Sequence, residues 1–151
     1  MYHLHARRIG HGLKLYQDKK MMEYLRDMHI SLEMCPASNL TTCRYRNFSN
    51  RQSDILRNED AEIYPLRHYL NEGVGVTINT DNRGISRTTL TGEFLKACHL
   101  TEGGLSKWDI LRIIRQGFLS GFLPLQQKNL LLHQAERDIL SILIHEYLEK
   151  H

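Results

Sequence analysis

An α/β fold built on a parallel sheet is the class the sequence predicts, and three observations predict it. Short apolar runs alternate with helical patterns in the order strand, helix, strand, helix, strand, then helices, which is how βα units read. Residues 74–79 (VGVTIN) are β-branched on both faces, as in a strand covered from two sides. A length of 151 residues, 41% hydrophobic and 25% charged, suits one domain and excludes wholesale disorder.

Each element has a local reason. Residues 8–12 (RIGHG) read as a strand end breaking into a loop. Asp18 then introduces a helix to about Met28, with Met21, Met22, Leu25 and Met28 at three- and four-residue spacing. Residues 29–35 (HISLEMC) form the second strand candidate, stopped by Pro36-Ala37-Ser38-Asn39. A polar loop of about two dozen residues is expected next, longer than compact domains usually hold. Residues 63–70 can be helical up to Asn71-Glu72-Gly73, before the strand at 74–79. Thr91 is placed as the N-cap of a helix over 91–100, with Glu93 in its first turn. Ser106 and Asp109 have the spacing of a capping box, and Pro124 opens a last helix to about residue 149.

Composition narrows the function classes. The formal net charge is +3, too small to announce a nucleic-acid partner. It is uneven: residues 1–51 hold nine Lys/Arg against four Asp/Glu, the rest eleven against thirteen. No run of about 18 apolar residues offers a membrane span. Residues 1–8 (MYHLHARR) lack the apolar stretch of a signal peptide. Cys35, Cys43 and Cys98 are odd in number and unevenly spaced, which argues against a disulfide framework and for a cytoplasmic setting. The arginines and aromatics of residues 42–48 read as a surface or substrate-side loop rather than a nucleic-acid grip. The H-x-E and P-C-x-x-C pattern of cytidine-deaminase zinc sites is absent.

The chemistry is expected where strands end. In parallel α/β folds, ligands gather at the carboxyl edge of the sheet. The groups placed there are His11, the Cys35–Asn39 turn and Asn79-Thr80-Asp81-Asn82. A histidine between Gly10 and Gly12 has a backbone free to turn and little steric cover; it suits a site or a simple turn cap equally. A carboxylate after a buried strand, Asp81, is costly unless a metal, a cation or N–H donors receive it. An Asx-turn would account for it as well.

Three motifs in order, Arg8-Ile9-Gly10-His11-Gly12, Glu33-Met34-Cys35-Pro36-Ala37-Ser38-Asn39 and Asn79-Thr80-Asp81-Asn82, resemble the C-terminal half of adenosine deaminases. The similarity continues through Thr91-Gly92-Glu93-Phe94 and the terminal helices. What the resemblance implies is a (β/α)₈ TIM-type barrel, here partial, with about three C-terminal βα units plus terminal helices and no separate second domain. It implies zinc-dependent hydrolytic deamination of adenosine or a related aminopurine. His11 then matches the histidine that orients and supports the attacking hydroxide. Asp81 matches the aspartate that ligates zinc and accepts the hydroxide's hydrogen bond. Asn82 stands where many members carry a second aspartate contacting purine N7; an amide can donate its NH₂ there.

The family's H-A-G-E motif does not occur in these 151 residues. His3-Leu4-His5 spells H-x-H, yet it sits where relatives run into the R-I-G-H-G strand, so it is not expected to ligate zinc. The remaining ligands are therefore expected from outside this chain. A barrel needs about 250 residues, so the expectation is a C-terminal fragment, inactive alone, that forms a homo-oligomer or depends on a missing N-terminal half. The alternative is a non-catalytic remnant serving as a binding or assembly module.

Overall fold

The computed structural model describes residues 5–49 and 61–149. Strands β1 (Arg8–Gly10), β2 (Ser31–Met34) and β3 (Val76–Ile78) form one parallel sheet in chain order. Ile9 lies opposite Leu32 and Leu32 opposite Val76; Gly10 lies opposite Glu33 and Glu33 opposite Thr77. Because side chains alternate along a strand, the sheet has two chemically distinct faces. One carries Ile9, Leu32, Met34, Val76 and Ile78; the other carries Arg8, Ser31, Glu33 and Thr77.

The apolar face holds the core. Met22 and Leu25 of α1 (Lys19–Asp27) and Leu66, Tyr69 and Leu70 of α3 (Leu66–Asn71) are buried with Leu32, Met34, Val76 and Ile78. Burying one such aliphatic side chain stabilises by roughly 1.5–3 kcal/mol, so this cluster carries the α1–sheet–α3 layering. Asp18 caps α1 as expected, accepting from the Met21 N–H at 3.1 Å. Tyr69 ties the same layer to the β1 loop by donating its hydroxyl to the Gly12 carbonyl. Gly12 has φ +65°, and a Cβ there would meet Leu32 Cδ2 at 2.9 Å. Only glycine satisfies both demands.

Two boundaries differ from the expectation. Pro36 does not begin a loop; it is the first residue of helix α2 (Pro36–Thr42), where its missing N–H is not needed and its fixed φ suits the turn. Helix α5 (Leu90–Leu100) is capped by Thr89 rather than Thr91, because Thr89 Oγ1 accepts from the Gly92 N–H at 3.1 Å. A single turn, α4 (Arg83–Ser86), stands between β3 and α5 and is capped by Asn82. Of the expected polar loop, residues 50–60 lie outside the described residues. Tyr45, within the arginine–aromatic stretch, is buried edge-on against Tyr64 at 5.0 Å between ring centroids. That stretch contributes to the core.

Helix α6 (Lys107–Ser120) starts with the expected capping box of Ser106 and Asp109. It lies against β3: Ile113 is buried, and Gln116 Nε2 donates to Ser31 Oγ at 2.8 Å. Glycine at 75 permits this approach, since a Cβ there would stand 2.7 Å from Gln116 Nε2. Helix α7 (Leu125–Leu148) follows Pro124 and has no buried residue. Between α6 and α7 runs an apolar groove of about 570 Å³ lined by Leu111, Phe118, Ile139 and Leu143. Trp108 is 76% exposed and Leu140 58%. No helix among the described residues is long and apolar enough to cross a membrane.

Candidate active site

The sheet's hydrogen bonding runs past the strands into their carboxyl-end loops. The His11 N–H donates to the Glu33 carbonyl and the Asn79 N–H to the Met34 carbonyl, each at 2.9 Å. His11 and Asp81 then both turn into the left-handed region, with φ of 60° and 52°. Such a conformation is uncommon outside glycine, Asn, Asp and His, and it aims both side chains across the end of β2. His5, His29 and Arg87 share the region, so it does not by itself mark a site.

His11 Nε2 lies 4.0 Å from Asp81 Oδ2. Cys35 joins them: one ligand atom from each of His11, Cys35 and Asp81 lies within 4.8 Å of the others. Burial, reinforced by the Asp81, Glu93 and Glu33 carboxylates, pushes the Cys35 thiol up to about 11. Its Sγ is within 3.6 Å of the Glu33 carbonyl. The thiol is thus protonated near neutral pH and acts as a small apolar neighbour.

Behind this trio the first turn of α2 is pinned from two sides. Asn39 is 2% exposed; its Oδ1 accepts from the Tyr64 hydroxyl at 2.9 Å and from the Cys35 N–H at 3.3 Å. Its Nδ2 stands 2.9 Å from His11 Nδ1. Glu93 is fully buried, and its Oε2 accepts from the Ala37 N–H at 2.8 Å. The other carboxylate oxygen, Oε1, is buried without a hydrogen-bond partner. Burial pushes the Tyr64 phenol well above the ordinary tyrosine range, so it stays a hydrogen-bond donor.

Beside Asp81 lies a cavity of about 730 Å³, bounded by Glu33, Thr77, Asn79, Asp81, Phe94 and Phe118. The polar face of the sheet is one of its walls. Arg8 neutralises Glu33 there, at 3.2 Å, and its guanidinium covers the Phe122 ring at 3.8 Å. A volume of this size suits a drug-sized or nucleoside-sized ligand.

The structure brings His11 and Asp81 together. Asn82 is adjacent in the chain, and its Oδ1 caps α4 by accepting from the Ile85 N–H at 3.2 Å. Its NH₂ is not used in that cap. His5 is an exposed turn residue, while His3 lies outside the described residues. His29, His68, His133 and His145 are exposed, in keeping with a surface role. Sequence reasoning missed Tyr64 and the buried carboxylate of Glu93. The latter had a signal: Glu93, Ala97 and Leu100 share one buried stripe of α5, and an acid in an apolar stripe marks a polar contact.

Three parallel strands in chain order, joined by helices, with polar groups gathered at the carboxyl edge, are an α/β arrangement consistent with part of a βα barrel. Solved structures show the same fold. An adenine deaminase from Arthrobacter aurescens superposes with a TM-score of 0.68 at 23% identity, covering 90% of this chain and 37% of that one. An amidohydrolase from Burkholderia ambifaria with bound zinc gives 0.70 at 14%, covering 95% and 36%.

The adenosine deaminase family model matches residues 1–137, and the chain belongs to that family. It is 34% identical over 119 residues to an adenosine deaminase of Clostridium acetobutylicum, which covers 79% of this chain and 31% of the relative. It is 32% identical over 137 residues to one of Enterococcus faecalis, with 91% and 36% covered. The chain spans about a third of the length of the curated relatives it matches.

Proposed function

We propose that this chain carries the C-terminal part of the active site of a zinc-dependent deaminase, acting on adenosine or a related aminopurine nucleoside. Water and the aminopurine become the 6-oxo product and ammonia. The observation that carries the reading is the approach of His11 Nε2 to Asp81 Oδ2 at 4.0 Å, from the ends of two strands that are not neighbours.

The donor set fits zinc. A carboxylate oxygen is an ordinary zinc ligand, and a catalytic zinc takes three protein ligands plus an open position. Asp81 is the ligand this reading assigns. Cys35 is within reach, but its raised pKa opposes thiolate ligation. On this reading the other ligands come from outside this chain. Zinc, when bound, brings a water's pKa near neutrality.

The chain's own groups do the rest. Asp81 supplies a fixed negative charge that accepts hydrogen bonds. His11 stands beside it as orienting and electrostatic support. Asn82 offers its NH₂ to a purine ring nitrogen, and the cavity beside β3 gives the ring room. Residues 1–151 are read as the C-terminal portion of one barrel, inactive alone, whose open sheet edges are met by an N-terminal portion or by a second copy.

Zinc affinity measured by competition with a chelator tests the reading. Once the portion that supplies the other ligands is joined to the chain, a folded Asp81→Asn variant should bind zinc at least about tenfold more weakly than the parent. Equal, measurable zinc affinity in the two joined forms would overturn Asp81 as a ligand. A joined form that binds adenosine but retains no zinc would make the chain part of a binding module instead.

A further inference from the structure

We propose that Asn39 is the positioning residue that holds the His11 imidazole in its Nε2–H tautomer. The inference rests on the reading of His11 as a site residue, and it concerns which end of the ring that site meets.

The orientation of the Asn39 amide is not free. A backbone N–H can only donate, and the Cys35 N–H reaches one end of the amide at 3.3 Å, so that end is the oxygen. The Tyr64 hydroxyl donates to the same oxygen at 2.9 Å. The NH₂ is thereby directed at His11 Nδ1, 2.9 Å away. An amide nitrogen has no acceptor capacity, so Nδ1 must be the acceptor and carries no proton. In the neutral ring the proton is then on Nε2, the nitrogen that faces Asp81 Oδ2.

The opposite tautomer would set two N–H groups against each other where Asn39 is almost completely buried. The Asn39 amide cannot swing aside to relieve that clash, because its oxygen is held by the Cys35 N–H and the Tyr64 hydroxyl, and the backbone that carries it is fixed as well. Its own N–H donates to the Cys35 carbonyl at 2.8 Å, and the neighbouring Ala37 N–H is held by the buried Glu93 carboxylate. His11 therefore presents a donor to Asp81 and to whatever lies between them. A protonated Nε2 has no lone pair for a metal, so the ring supports the site without being a ligand in it.

The test is ¹⁵N-labelled histidine in the 151-residue chain, with ring nitrogens read by long-range ¹H–¹⁵N correlation at a pH where free imidazole is neutral. The His11 signals are assigned by their loss in His11→Gln. The expected spectrum has a pyrrole-type Nε2 and a pyridine-type Nδ1. Asn39→Asp keeps the shape and the oxygen that Cys35 and Tyr64 use, but turns the donor into an acceptor. Its Nδ1 signal should become pyrrole-type, and in Asn39→Ala the two nitrogen signals should average.

A pyrrole-type Nδ1 in the parent chain would overturn the proposal. So would an unchanged spectrum in folded Asn39→Asp or Asn39→Ala, since a merely structural Asn39 would move stability and leave the proton where it was. If Asn39→Asp does not fold, the parent spectrum and Asn39→Ala decide. None of these readings depends on zinc or on turnover, so failure of the deaminase reading is told apart from failure of this one.

Discussion

At Cys35, burial and three nearby carboxylates act in one direction, and reactivity follows. With the thiol raised from 9.0 to about 11, the thiolate fraction near neutral pH falls about a hundredfold. Alkylation followed by mass spectrometry should therefore find Cys35 the slowest of the three cysteines at pH 8, its rate still climbing above pH 10. Equal rates for Cys35 and the half-buried Cys43 would contradict the burial described for it. Gly12 is the other residue with a sharp consequence. Gly12→Ala places a Cβ against Leu32 at a left-handed φ, and should lower stability by about 1–3 kcal/mol in urea unfolding. These contacts were only partly legible beforehand. The His11-Gly12 and Cys35–Asn39 motifs stand out in the sequence, but Asn39 meets His11 across 28 positions and Glu93 meets Ala37 across 56. Local pattern carries no information about such pairings; only the parallel stacking of strand ends makes them.

Among the elements, α6 shows how far local chemistry determines an end. Ser106 and Asp109 close a reciprocal capping box, and Arg67 adds an ion pair to Asp109 at 3.1 Å. Partial burial raises the Asp109 carboxyl, but hydrogen bonds from Ser106 and the Arg67 guanidinium outweigh it and hold the group below the usual range. A carboxyl with a depressed folded pKa adds stability that is whole above its unfolded value and is lost as pH falls through the folded one. The thermal midpoint should thus drop on acidification below about pH 4, and Asp109→Asn should flatten that part of the curve. Ser106→Ala should cost about 1 kcal/mol. The box was readable because all its parts lie within four residues. The cap of α5 falls two residues before the one the pattern predicts, because Thr89 and Thr91 are equally good caps on paper. What separates them is which one the chain leaves outside the helix as it descends from β3. Pro36 is ambiguous in the sequence for a related reason: proline ends a strand and begins a helix with the same residue.

For the whole molecule, the helices after β3 expose what the strands conceal. Leu130, Leu140, Ile142, Ile144 and Leu148 of α7 are all exposed, and each outer strand has one partner among the described residues. Sedimentation velocity should show mass rising with concentration, and Leu140→Lys with Ile144→Lys should reduce it. A monomer at all concentrations would remove self-association from the proposed reading. The two faces of the sheet lead to a different kind of observation. Leu32 and Met34 lie in the core while Glu33, between them, looks into the cavity beside Arg8. Every second position of β2 thus answers to a different demand. A saturation scan along 31–34 should alternate: substitutions at 32 and 34 reduce the yield of folded chain, whereas those at 33 spare the yield and appear in ligand retention alone.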